Sequence, residues 1–380
     1  MKSFPIEEIP PSGYFSKTAY IDNQFIIAAP ETPFTGELVS ALNEWGFTEV
    51  FSEGEPGDHY KSDDEMPENP DTEVDSRSMT EDSEKIKKAE KFYASFMQYT
   101  ETLFDDVAMK KKLKQNLLME KIKTVCGIVK EEHRYLMRTR QHAEQPTGKN
   151  YLISHSVRTT VISLIIGNYL KFPQHRLIEL GTAALLHDIG MITLPPELYL
   201  SGRTFTEQEK KMIYIHPIQG YKILKTLNFP LAVCTAALEH HERENGSGYP
   251  QNLIRDEISL YGKIIAVACS YEALLAKRSH KEAKDGYSGM LELLKNEGKK
   301  YDDNIIRALV YSLSIYPVGM HVLLSNKKKG QVVDVNPENP RYPVVQITGE
   351  LMPNGKKIII QTFAKGLSIV RPLTRDEVGE

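Results

Sequence analysis

Cysteine is scarce in this chain. Three residues in 380, Cys126, Cys234 and Cys269, are too few and too widely separated to frame a disulfide scaffold or to show paired zinc spacing. A reducing, cytoplasmic setting is therefore expected. Long apolar runs are missing as well: no stretch approaches the roughly 20 residues that a membrane helix needs, and the opening MKSFPIEEIPPSGYF lacks the charged and then apolar pattern of a secretory leader. No membrane segment is expected. Nor is positive charge in excess, since 47 Lys and Arg face 51 Asp and Glu, a net charge of -4. That balance excludes a global basic field of the kind duplex nucleic acid attracts by counterion release, although a small anion could find a local basic pocket. What is present, 41% hydrophobic and 26% charged residues, suffices for one sizeable core with small appended modules.

The composition shifts along the chain. Residues 1–52 read as a small α+β module, with YIDNQFIIAA and TEVF as strands and a short helix capped by Thr35 and ended by Gly46. Residues 53–84 are rich in acid and proline and nearly free of large apolar side chains, which predicts a disordered acidic linker. Over 85–144 apolar residues recur with helical period (Phe92, Phe96, Leu103, Val107, Leu113, Leu117, Ile122, Val125), predicting amphipathic helices that lead into a core or cover a second copy of the chain. The lysines of MKKKLK fit a solvated helix face. Helical periodicity continues over 145–315. From 316 to 380 the period falls to two, with HVLLS, QVVDV, VVQIT and KKIIIQT as strands of a C-terminal β module, separated by turns at NKKKG and MPNG.

The chemistry is concentrated in the central helical stretch. His155 stands in ISHSVR, His187 and Asp188 in LLHDIG, His216 in YIHP, and His240 and His241 form a pair just before GSGYP. A lone histidine is commonplace. An imidazole and a carboxylate side by side at the apolar end of AALLHDIG are costly to bury unless a positive charge compensates both, and a divalent cation would do so. Asp188 has two oxygens and can bridge two ions, with imidazoles from several helices completing their shells. Two ions held this way generate hydroxide near neutral pH and clamp a phosphate between them.

In order and spacing, His155, the HD pair at 187 and 188, His216, HHE at 240–242 and GSGYP at 246–250 resemble the HD-GYP family, a branch of the HD phosphohydrolase superfamily. The likeness spans residues 145–315, and the β tail is similar to an extension found on such proteins. The fold class implied is mainly α: an all-helical HD-type domain between the N-terminal α+β module and the C-terminal β extension. The resemblance also implies two divalent ions, iron or manganese, and hydrolysis of cyclic di-GMP to pGpG and GMP. It places Asp188, His216, His240 and His241 on one metal, and His155, His187 and Asp188 on the other. The glycine turn would bring Tyr249 over the substrate.

Several positions depart from the family pattern. Where ADVYDAL is usual, this chain has ACSYEAL, so Cys269 takes the place of an aspartate ligand. A thiolate binds iron or zinc, and Glu272, one helical turn on, is the alternative ligand; the same cysteine also suits a small buried core position. Met191 and Asn245 replace a usual lysine and aspartate. Tyr151 stands where trinuclear members carry glutamate, which favours two ions over three. In KRSHK, Arg278 and Lys281 keep the phosphate-contacting basic cluster, with His280 replacing tyrosine. The expected function is a metal-dependent cyclic di-GMP phosphodiesterase. The rival is a catalytically weak receptor for cyclic di-GMP, or a module that binds a partner such as a messenger synthase; hydrolysis of another nucleotide is a third reading.

Overall fold

The period-two patterns of the C-terminal stretch become strands, and YIDNQFIIAA, expected as one strand, contributes to two, at 19–20 and 26–28, in the computed structural model, which describes residues 2–9, 13–21, 26–28, 34, 36–44, 47–57, 79–139, 149–195, 198, 206–275, 286–296, 298–336, 339–352, 357–363, 366–373 and 375–378. Two compact units, 1–72 and 73–380, divide the chain.

In the first unit, strands β1 (Lys2–Pro5), β3 (Ala19–Tyr20), β4 (Ile26–Ala28) and β5 (Glu49–Ser52) form an antiparallel sheet in the order β1-β5-β3-β4. Strands β2 (Tyr14–Phe15) and β6 (Pro56–Gly57) pair separately. Helix α1 (Gly36–Glu44) buries Leu42 in a core with Ile6, Phe15, Phe34 and Val50. The expected cap Thr35 and stop Gly46 lie outside the described residues.

The predicted linker, 53–84, overlaps structure at both ends, with β6 at 56–57 and a helix from Met79. The helix extends upstream of Lys85 because Ile86, Ala89 and Tyr93 anchor it to the core, and the polar turn before them needs only compatible backbone propensity. The acidic middle of that stretch, 58–78, lies outside the described residues.

The second unit is built mainly of helices: α2 (Met79–Lys110), α3 (Gln115–Arg138), α4 (Lys149–Tyr169), α5 (Gln174–Leu186), α6 (Glu207–Ile213), α7 (His216–Thr226), α8 (Leu231–Glu239), α9 (Leu260–Leu275), α10 (Gly286–Lys295) and α11 (Asp303–Leu313). Helix α4 is the axis, packed by α2, α3, α5, α9 and α11. Apart from His155 and Arg158 its sequence, LISHSVRTTVISLII, is apolar or small and polar on every side, and its residues 152–166 are all buried. Thr160 Oγ1 bonds back along the helix to the Ser156 carbonyl at 2.7 Å, whereas the hydroxyls of Ser156, Thr159 and Ser163 are buried without a hydrogen-bond partner among the described residues. Leu117, one of the apolar positions expected to face a core or a second copy of the chain, is 59% exposed, whereas its neighbour Leu118 is fully buried on the same face as Ile122 and Val125.

The C-terminal strands β7 (His321–Leu324), β8 (Lys329–Asp334), β9 (Val344–Leu351), β10 (Lys357–Gln361) and β11 (Ile369–Pro372) form one antiparallel sheet in the order β10-β9-β8-β7-β11. An ion pair of 2.6 Å between Arg134 on α3 and Asp334 on β8, and stacking of Tyr287 on Tyr316 with ring centroids 5.0 Å apart, join the sheet to the helices. Among the described residues no helix is long and apolar enough to cross a membrane.

Candidate metal centre

Helix α5 stops at Leu186, His187 caps it, and Asp188 leads into a 3-10 turn over Ile189–Thr193. Gly190 in that turn has no room for a side chain. A Cβ there would lie 2.0 Å from the His216 carbonyl oxygen and 2.6 Å from the Gly220 nitrogen. The missing methyl lets the first turn of α7, begun by His216 and Pro217, settle against the turn that carries Asp188. Helix α8 ends at Glu239 with His240 as its cap and His241 next in the chain, α4 presents His155, and α9 presents Cys269.

The two oxygens of Asp188 face different groups. Oδ1 lies 3.1 Å from His216 Nε2 and 3.4 Å from His240 Nε2, whereas Oδ2 lies 3.4 Å from His187 Nε2 and 3.9 Å from His155 Nε2. Ligand atoms of Asp188, His216, His240 and His241 gather in one cluster, and those of His155, His187 and Cys269 in a second. Cys269 Sγ is 3.3 Å from His155 Nε2.

The outer nitrogens explain the orientation. Nδ1 of His187, His216 and His240 donates to the carbonyl three residues earlier, on Ala184, Ile213 and Ala237, at 2.7, 2.6 and 2.8 Å. Donation from Nδ1 leaves Nε2 of a neutral ring as an acceptor aimed inward. Acceptors then face acceptors: Nε2 of His216 and His240 are 3.2 Å apart beside a carboxylate, and His187 Nε2 is buried without a hydrogen bond. Such a set is repulsive by itself and fits divalent cations, which accept from all of these atoms.

The electrostatics divide along the same line. Burial pushes His240 down to about 3 and His241 well below the imidazole range, with neighbouring rings adding to the effect. Burial also opposes charge on Asp188, yet His187, His216 and His240 hold its carboxyl well below the usual range. In the other cluster burial is overcome: Glu272 lifts His155, Asp188 lifts His187 to about 10, and His155 draws the Cys269 thiol down to about 6. His240 and His241 are thus held in the neutral form that metals take, whereas His155 and His187 hold protons beside a thiolate and a carboxylate, protons that a bound metal would displace.

Glu272, the alternative ligand, lies outside both clusters. Its Oε2 bonds to His155 Nδ1, and its Oε1 is 3.6 Å from Arg158 Nη1. It thus orients a ligand from behind. Tyr151 stacks on His155, centroids 5.7 Å apart, and Met191 packs against the core. Asn245 holds the glycine turn, accepting from Ser247 Oγ at 2.7 Å and donating to the Gly298 carbonyl at 2.8 Å. Arg278, His280 and Lys281 lie outside the described residues.

Tyr249 is sandwiched between His241 and Tyr214, with ring centroids 4.6 and 4.3 Å away. Two buried features hold it there. A Cβ on Gly248 would lie 2.4 Å from the Arg243 nitrogen, so the loop folds tightly back on the chain leaving His241. Glu242, 1% exposed, accepts the backbone N–H groups of Gln251 and Leu253 at 2.6 and 3.0 Å. Sequence reasoning missed the roles of Glu242, Gly190 and Tyr214. A buried carboxylate directly after two histidines was a usable signal for the first; the other two depend on contacts between helices.

Residues 143–305 match the family model described as the HD domain. The chain is 31% identical over 209 residues to cyclic di-GMP phosphodiesterase PdeB of Borreliella burgdorferi, covering 55% of this chain and 54% of that protein. It is 30% identical over 202 residues to cyclic di-GMP phosphodiesterase PA4108 of Pseudomonas aeruginosa, covering 53% and 49%. A 3'3'-cGAMP-specific phosphodiesterase 3 of Vibrio cholerae is 30% identical over 167 residues, covering 44% and 36%. The chain spans about half the length of the first two curated relatives.

Proposed function

We propose that the chain, whose residues 143–305 match the HD domain model, is a metal-dependent phosphodiesterase that hydrolyses cyclic di-GMP to pGpG and GMP. The observation that carries this reading is Asp188, whose two oxygens face two separate ligand clusters. Asp188, His216, His240 and His241 would hold one divalent ion, and His155, His187, Asp188 and Cys269 the other, with iron or manganese as the expected metals. Bound ions supply Lewis acidity that activates water and neutralises the charge of a phosphodiester.

The protein's own groups do the positioning. The Nδ1 bonds lock the three imidazoles against rotation, so their inward nitrogens need no reorganisation. Tyr249, stacked on His241, walls the glycine-turn side of the centre, and Arg278 and Lys281 would hold the phosphates. Cyclic di-GMP as substrate is supported by the names of the relatives from Borreliella and Pseudomonas. The three unpaired, buried thiols suit a cytoplasmic setting. Exposed Leu117 and Met119 on α3 support a homodimer as part of the same reading.

An oxygen-free assay of the protein loaded with iron or manganese, following cyclic di-GMP and cyclic GMP-AMP by chromatography, tests the proposal. Conversion of cyclic di-GMP to pGpG or GMP is expected. Bound but unconverted nucleotide would leave a receptor instead. Asp188→Ala should lose both the bound metal, by elemental analysis, and at least a hundredfold in turnover; retained activity would sink the mechanism.

A further inference from the structure

The two halves of the centre differ in donor chemistry. On the Asp188 Oδ1 side the set is three imidazoles and a shared carboxylate; on the Oδ2 side it is two imidazoles, the same carboxylate and a sulfur. Among the described residues no other carboxylate joins the second set, and Glu272 is engaged with His155 and Arg158. The sulfur is placed as a ligand rather than as filler. The thiol of Cys234 makes an ordinary bond back along the chain to the Phe229 carbonyl at 3.6 Å, but that of Cys269 turns to the inward nitrogen of His155 at 3.3 Å. Cys269 is 7% exposed, so an ion there would meet the sulfur in a largely dry pocket.

Resting on the metal-dependent reading above, we propose that the half built from His155, His187, Cys269 and Asp188 Oδ2 is a thiolate site that takes zinc or ferrous iron and discriminates against manganese and magnesium. A thiolate shares electron density with borderline ions and adds little for the hard ones, which prefer oxygen. The all-nitrogen-and-oxygen half follows the ordinary order of divalent affinities and prefers zinc to manganese by less. The two halves of one centre therefore differ in ion preference.

Cobalt(II) reports the ligand directly, because a cobalt–thiolate bond absorbs in the near ultraviolet and an imidazole or carboxylate bond does not. Apo protein loaded with cobalt should bind two ions per chain and show that absorption. In Cys269→Ser the absorption should vanish while the ion on the Asp188 Oδ1 side is kept, which also shows that the variant is folded. Equilibrated against equal zinc and manganese, the wild-type chain should hold zinc in the second half, and Cys269→Asp should shift that competition towards manganese by at least tenfold. Two bound cobalt ions without sulfur absorption, or a zinc–manganese preference unchanged in Cys269→Asp, would overturn the inference while leaving the phosphodiesterase reading intact. Failure to bind any cobalt would overturn both.

Discussion

A neutral imidazole has one nitrogen to give and one to offer, and which is which depends on what stands behind the ring. At His187, His216 and His240 a helix carbonyl settles it; at His155 the charged Glu272 does. Glu272→Gln keeps the shape and removes the charge, so the His155 half should lose about tenfold in metal affinity while the other half keeps its own, as read by metal content at limiting ion concentration. Glu242 works on backbone rather than ligand. Glu242→Ala would remove a buried carboxylate that accepts from two part-buried N–H groups and should lower stability by about 2 kcal/mol, measured by urea unfolding. The clustering of His187, His240 and His241 was legible in the sequence because an imidazole beside a carboxylate, or beside another imidazole, is improbable at an apolar helix end, whereas His155 and His216 stood out only through the family resemblance. The division of labour between Cys269 and Glu272 was not legible: both lie on one face of α9, and only the position of His155 on α4 decides which one points inward.

At the scale of elements, the centre depends on how closely α7 meets the turn after α5. Gly190→Ala puts a methyl into the His216 carbonyl and must push the two apart. The expected outcome is a loss of about 1–3 kcal/mol in stability together with weaker binding of the ion that His216 would hold, separable by unfolding metal-free and metal-loaded protein side by side. Period and composition made the helices and the strands β7 to β10 readable in the sequence. Strand β11 escaped, since its four residues end in Pro372 and it joins the sheet only as the edge strand beside β7, a place where a proline is tolerated. The start of α2 escaped for a related reason: residues 79–84 are polar and ambiguous alone, and become helical through the anchors that follow them.

Across the whole molecule, both ligand clusters sit in the second unit, while the first unit has its own core around Phe15, Phe34 and Val50. Removing metal with a chelator should therefore lower the melting of residues 73–380 by several degrees, since an ion present at a hundred times its dissociation constant contributes about 2.7 kcal/mol. A transition of residues 1–72 should stay where it is in the same calorimetric scan. A shift of both transitions by equal amounts would contradict this division.

The carboxylate of Asp188 has a thermodynamic consequence of its own. Because one rigid group serves both clusters, the occupancy of either side enters the free energy of the other, and linkage makes the effect reciprocal. Whatever factor an ion beside Cys269 imposes on binding at His241, an ion beside His241 imposes on binding at Cys269. A change of ligand on α9 would thus be felt at the end of α8, with no contact between the two residues required.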